Sequence, residues 1–280
     1  MSMFDPIFGK QFDRFVDARI RKRMPGLRVL VDRNIVQYAL TTEGVVQTKT
    51  VEWGPHTITS DIHGYRAKAL PSAEWPRRQI KTLPTIARLA REGKIVFCTS
   101  RELKFEALGG SLAWQGSRGD LFRRITYEHV PAAIERSYFW QTIDLAKYAS
   151  GEGQVGWYKN FLLKVDENQL LERLKGYMGL PDFDRQNIEN LGRFRELCKY
   201  LDTDDHIRDA FHLWTAEVNN LDYFLTVDKK FINKMTQSTP LSLPTPPITP
   251  ADLVEKLGIG ILDALPLSDQ KFRNLLETED

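Results

Sequence analysis

The sequence predicts an α/β fold: a mainly parallel central sheet with helices on both faces and a helical subdomain inserted in it. Two observations lead there. Short β-rich runs alternate with segments whose apolar residues recur at helical spacing, the pattern of strands joined by crossover helices. From about 109 to 202 the patterning is mostly helical, so this stretch reads as an insertion. At 280 residues the chain can bury a proper core without staples.

Residues 1–26 read as an N-terminal helical extension, with Phe4, Phe8, Phe12, Phe15 and Ile20 near helical spacing. Leu27 to Val31 is a strand that delivers Asp32 and Asn34 to a polar turn. Val45 to Trp53 alternates like a half-exposed strand or hairpin, with Gly54-Pro55, Gly64 and Pro71 as breaks. Ile80, Leu83, Ile86 and Leu89 mark a helix that Gly93 stops before the strand Lys94 to Cys98. A helix over Ser100 to Leu108 and a glycine-rich connection follow. Helical spacing then covers Ile134 to Tyr148, Phe161 to Tyr177 and Asp184 to Leu201. Thr203 caps a helix with Asp204 and Asp205 in its first turn and Ile207, Phe211, Trp214 and Val218 on one face. Tyr223 to Thr226 is a third strand, ending in Val227-Asp228, and Thr249-Pro250 opens a last helix. The tail, 259–280, looks dispensable after Pro266.

Composition excludes several classes. Two cysteines cannot make a disulfide framework or a Cys-rich zinc site, and Cys98 lies in the apolar run Ile95-Val96-Phe97, which fits a reducing, cytoplasmic setting. No stretch approaches the ~20 apolar residues that cross a bilayer. Asp5, Asp13 and Asp17 argue against an import signal. A formal charge of +2 leaves the partner open.

Chemistry concentrates in acids. Open parallel sheets gather function at the carboxyl ends of their strands. Asp32 follows the first strand and Asp228 the third, while Glu106 and Asp209 sit in helices flanking the second and third. Four like charges brought together repel, and divalent cations resolve that conflict. Hard oxygen ligands suit Mg²⁺ or Mn²⁺, and paired ions can activate water and stabilise a leaving oxygen in phosphodiester displacement. A single acid at such a position is as often a solvated cap.

At these residues the sequence resembles the PIN-domain ribonuclease family, within the PIN-like nuclease superfamily of Rossmann-like folds. Leu-Val-Asp32-Arg-Asn34 is similar to its opening strand, Asp209-Ala-Phe-His-Leu-Trp-Thr-Ala216 to its third-acid helix, and Tyr-Phe-Leu-Thr226-Val-Asp228-Lys to its Thr-x-Asp strand end. Ile-Thr-Pro250-Ala-Asp-Leu-Val-Glu-Lys-Leu fits its last strand and helix, and Ser100 through Glu106 its serine, five residues, glutamate. Glu102, one helical turn earlier, is the alternative to Glu106. The pieces cover residues 27–108 and 203–258 of an expected nuclease domain spanning 27–258; the resemblance does not explain 109–202, the long stretch 41–76 is unusual for the family, and Arg33 replaces a small polar residue.

The resemblance implies a metal-dependent endoribonuclease, with RNA as partner and a protein inhibitor as a further one. Asp32, Glu106, Asp209 and Asp228 would be its catalytic metal ligands, Asn34 and Thr226 would orient them, and Lys229 and Lys230 would contact RNA. His206 and His212 lie within a turn of Asp209 and either line the site or pack.

Other signals are weaker. Gly151-Glu-Gly153-Gln-Val-Gly156 spells a dinucleotide fingerprint, but it follows a helical pattern and reads as an inter-helix loop, so no dinucleotide is expected. His56, Asp61 and His63 lack metal-ligand spacing, and Arg118-Gly-Asp120 has meaning only in secreted proteins. Phe122, Tyr127 and their aromatic neighbours read as core more readily than as base-stacking platforms. Three other functions compete: a non-catalytic RNA- or protein-binding module, a structure-specific DNA nuclease, and a phosphatase using Asp32 as nucleophile. The last wants an acid where Asn34 stands.

Overall fold

A computed structural model describes residues 26–108, 119–136, 153–175, 180–237, 240–260, 262–267 and 269–274; of residues 105–108, 153–158, 173 and 175 it describes the backbone alone. The expected N-terminal helix and nearly all of the helix over 134–148 lie outside the described residues.

Five strands form the central sheet: β1 (Leu27–Val31), β4 (Ile95–Thr99), β5 (Glu128–His129), β6 (Tyr223–Leu225) and β7 (Pro247–Ile248). Their order is β5-β4-β1-β6-β7, and every pairing is parallel. The chain builds outward from β1 in one direction and then, from β6, in the other. The strand order therefore reverses between β1 and β6, and ligands of open α/β sheets bind at such a switch point. β5 was not legible in the sequence because two residues cannot show alternation, so Asp228 follows the fourth strand of this sheet in chain order, not the third.

Alternate residues of the strands feed two cores. Val29, Val31, Ile95, Phe97 and Leu225 pack with α1 (Arg33–Ala39), α2 (Glu74–Arg91) and α10 (Pro250–Lys256) on one face. Leu30, Val96, Cys98 and Phe224 face the other core. There they meet α4 (Gly153–Lys164), α5 (Glu167–Lys175), α6 (Asp182–Glu189), α7 (Leu191–Cys198) and α8 (Asp204–Val218). The sheet is thus covered on both faces, as near-continuous apolar strands require. The helices of 153–198 share their core with the sheet, and the same 109–202 stretch supplies β5.

Two expected helices are each broken in two. Asp166 stops the first, because its carboxylate accepts the Gln169 N–H at 2.9 Å and so caps α5. Asn190, outside helical dihedrals at φ −105°, ψ 27°, separates α6 from α7. Gly153 through Gly156 begin α4 rather than forming a loop.

The region of weakest patterning is a long hairpin. β2 (Thr42–Trp53) and β3 (His56–Ala67) pair one to one from Thr42↔Ala67 to Trp53↔His56, without a bulge. Gly54 turns the chain at φ +58°, a conformation glycine takes without steric cost. From Val46 to Asp61 every residue is exposed, so the hairpin projects as a ribbon. One face carries Val51, Trp53 and Ile58; the other carries Thr48 bonded to Asp61 and Thr50 to Thr59. His56 and His63, seven residues apart on one strand, are roughly 23 Å from each other and form no metal cluster.

Gly64 does not break β3. A Cβ there would lie 2.4 Å from the Arg273 carbonyl and from the Phe272 ring, because β8 (Arg273–Asn274) closes on it as a third strand. The tail is therefore docked, helped by Asp263 bonding Arg88 at 2.9 Å. Among the described residues no helix is long and apolar enough to cross a membrane, and Cys98 and Cys198 are buried free thiols.

Candidate active site

The carboxyl edge of the sheet sets the site. Register places Leu30 beside Cys98 and Val31 beside Leu225, so the next residues outward, Ser100, Asp32 and Thr226, end three adjacent strands. Ser100 and Thr226 are fully buried and Asp32 is 3% exposed. A buried carboxylate must be satisfied. Thr226 donates its hydroxyl to Asp32 Oδ2 at 2.6 Å, and the Asn34 side-chain amide donates to the same oxygen at 3.3 Å.

Asp32 is also the N-cap residue of α1, a position where a carboxylate normally accepts a backbone N–H from the first turn. It makes no such bond. Its backbone begins the helix through the carbonyl, which accepts from Ile35 and Val36, while the side chain is held by Thr226 and Asn34. The local helix signal is thereby decoupled from the carboxylate, which is positioned by tertiary contacts at the switch point.

Asp228 behaves differently. Its backbone N–H donates to Thr226 Oγ1 at 3.1 Å, so one hydroxyl joins both acids. Its Oδ1 accepts the Phe231 N–H at 2.9 Å, capping α9 (Lys229–Gln237). The capping role weighed against catalysis thus holds for one of its two oxygens. The other lies 3.9 Å from Nε2 of buried His206, whose Nδ1 is 3.5 Å from Asp202. The Lys234 ammonium, bonded to Asp202 at 2.5 Å, holds that carboxyl below the usual Asp range.

No protein-family model, curated protein or solved structure matches the chain. The site has to be judged on its own chemistry. Asp32, Asn34, Thr226 and Asp228 come together. Asp209 is half-buried on α8, one turn beyond His206. The Glu106 side chain lies outside the described residues. Glu102 is 1% exposed and spent on Arg136, whose guanidinium grips both carboxylate oxygens at 3.1 and 2.5 Å. Among the described residues no three His, Cys, Asp or Glu side chains converge as a metal-binding group. The donors present suit a hard cation that keeps most of its waters and takes one or two carboxylates, as Mg²⁺ does. His212 is buried among Phe211 and Phe224, a packing residue. Phe122 and Tyr127 pack on Phe97 in the core.

Cations surround this edge. Arg33 is the first residue of α1 and Lys229 and Lys230 open α9, both helices having no acid in their first turn. Lys229 places its ammonium 5.7 Å from the centroid of Trp75, at the start of α2. Sequence reasoning missed Trp75 and missed that Arg136 pairs with Glu102: each is 34 or more residues from its partner.

Proposed function

We propose that the protein is a divalent-metal-dependent nuclease that hydrolyses phosphodiester bonds in RNA. The observation that carries this reading is Asp32: a buried carboxylate at the switch point, turned away from the cap it could make and fixed by a neighbouring strand's hydroxyl. That arrangement leaves the α1 start without its side-chain cap, a cost a purely structural aspartate would avoid.

In this reading Asp32 is the central ligand and Asp228 contributes its uncapped oxygen. Asp209 on α8 and Glu106 on α3 (Arg101–Leu108) would complete the ligand set. Thr226 and Asn34 fix the Asp32 carboxylate so that little reorganisation accompanies binding. A bound Mg²⁺ or Mn²⁺ would supply charge stabilisation and a water of lowered pKa. Lys229 and Lys230, exposed beside Asp228, hold the RNA backbone, whose polyanionic charge makes such contacts salt-sensitive.

The test is incubation of the purified protein with a mixed RNA pool in Mn²⁺ or Mg²⁺, beside Asp32→Asn and Asp209→Asn variants and an EDTA control. The expected result is cleavage that EDTA and both substitutions abolish. Cleavage that survives both substitutions refutes the assignment. One observation favours a second reading: no three-ligand group converges among the described residues. RNA binding without cleavage under every metal condition would establish that non-catalytic module instead, and cleavage of branched DNA in preference to RNA would redirect the substrate.

A further inference from the structure

We infer that Trp75 and Lys229 form a nucleotide subsite beside the acidic centre, stacking one unpaired base of a single-stranded RNA and holding its phosphate. The inference rests on the nuclease reading above and names where the strand lies next to the reacting phosphate.

Three observations converge. Trp75 is half-buried, seated against the core that includes Val31, Leu225 and Val227, so its indole is a fixed platform rather than a loose side chain. Val227 belongs to that core and the next residue, Asp228, to the site, so the core on which Trp75 rests reaches to one residue from the carboxylate. Over the indole lies the Lys229 ammonium.

The charge pattern supplies the second part. Several surface arginines are paired with acids, Arg66 with Glu43, Arg78 with Glu255 and Arg195 with Glu167, whereas exposed Arg123 and Arg124 are not, among the described residues. Lys229, Lys230 and Arg33 make no ion pair with a described acid. A lysine at the first position of a helix opposes the helix dipole. Resting on an aromatic face offsets that repulsion. Lys229 is therefore a parked cation. When a phosphate arrives the ammonium transfers to it, and the uncovered indole face takes the adjoining base. Stacking reads no particular base, so the subsite selects unpaired strands without selecting sequence.

The experiment uses the full chain carrying Asp32→Asn to silence cleavage, with Trp75→Ala, Trp75→Phe, Lys229→Ala and, as a charge-matched control on the ribbon, Lys49→Ala. Affinity for a fluorescent single-stranded 12-mer RNA and for its duplex is read by anisotropy across a salt series, with circular dichroism checking the fold. Trp75→Ala should weaken single-strand binding about 5- to 150-fold and leave duplex binding unchanged, and Trp75→Phe should restore most of it. Lys229→Ala should lower the salt slope by roughly 0.7, and Lys49→Ala should change nothing. A Trp75→Ala protein that is folded and binds the single strand as tightly as its parent overturns the subsite while wild-type cleavage keeps the nuclease reading. Absence of RNA binding and cleavage in every form overturns both.

Discussion

Replacing Thr226 by valine isolates the device that joins the two acids. The hydroxyl donates to Asp32 Oδ2 at 2.6 Å and accepts the Asp228 N–H at 3.1 Å, with Thr226 fully buried. A hydrogen bond to a charged group contributes ~1.5–3 kcal/mol, and a buried N–H left without its acceptor costs ~1–3 kcal/mol. The two effects share one oxygen and are not independent, so the expected loss is about 2–4 kcal/mol. For a chain of this size each kcal/mol moves the midpoint by about 2–4 °C, which gives a fall of roughly 4–16 °C. Urea and thermal unfolding followed by circular dichroism measure it. Thr226→Ser keeps the hydroxyl and should recover most of the difference. Cleavage should fall for Thr226→Val under conditions where the protein is still folded, since Asp32 loses its shortest described tether. A Thr226→Val protein within about 0.5 kcal/mol of wild type would falsify the account of Asp32 as a carboxylate held from the neighbouring strand.

Three further outcomes are expected. Removing either partner of the buried Glu102–Arg136 pair should cost about 3–5 kcal/mol in urea unfolding, and the double replacement Glu102→Leu with Arg136→Met should recover much of it; additive losses would refute that coupling. The Arg88 hydrogen bond holds the Asp263 carboxyl below its ordinary value. Its contribution is present above the unfolded value, ~3.9, and disappears as pH falls through the lower folded one. Asp263→Asn should flatten that stretch of the midpoint-against-pH curve, and an unchanged curve would show that Asp263 does not dock the tail. Burial pushes the Cys198 thiol up to about 12 and Cys98 is wholly enclosed, so a thiol reagent at pH 8 should label neither until denaturant is added; stoichiometric labelling of native protein would contradict the packing.

What the sequence disclosed and withheld follows from how local each signal is. β1, α2, α8 and α10 were legible because each carries its own punctuation: Pro25-Gly26, Gly93, the Thr203 cap on His206 and the Thr249 cap on Asp252. Asp32, Asn34, Thr226 and Asp228 were legible as a group because strand ends of one parallel sheet must meet. β5 was invisible because it is a strand only by virtue of its neighbour β4. Gly64 read as a break because its reason lies more than two hundred residues away at Phe272 and Arg273. The pairing of Arg136 was hidden in the same way: nothing nearby in the sequence says that it neutralises Glu102. Glu102 had been the alternative ligand, and its buried ion pair gives it a structural task.

The ribbon has a consequence of its own for how the chain can be altered. Its strands match one to one from root to tip, and residues 46–61 are exposed. Deleting opposed residues two per strand preserves the alternation of faces, whereas deleting one per strand exchanges them. The hairpin can therefore be shortened or lengthened in steps of roughly 7 Å without disturbing the cores that hold Asp32 and Thr226. It behaves as a telescoping arm, its length a variable separate from the stability of the body that bears it.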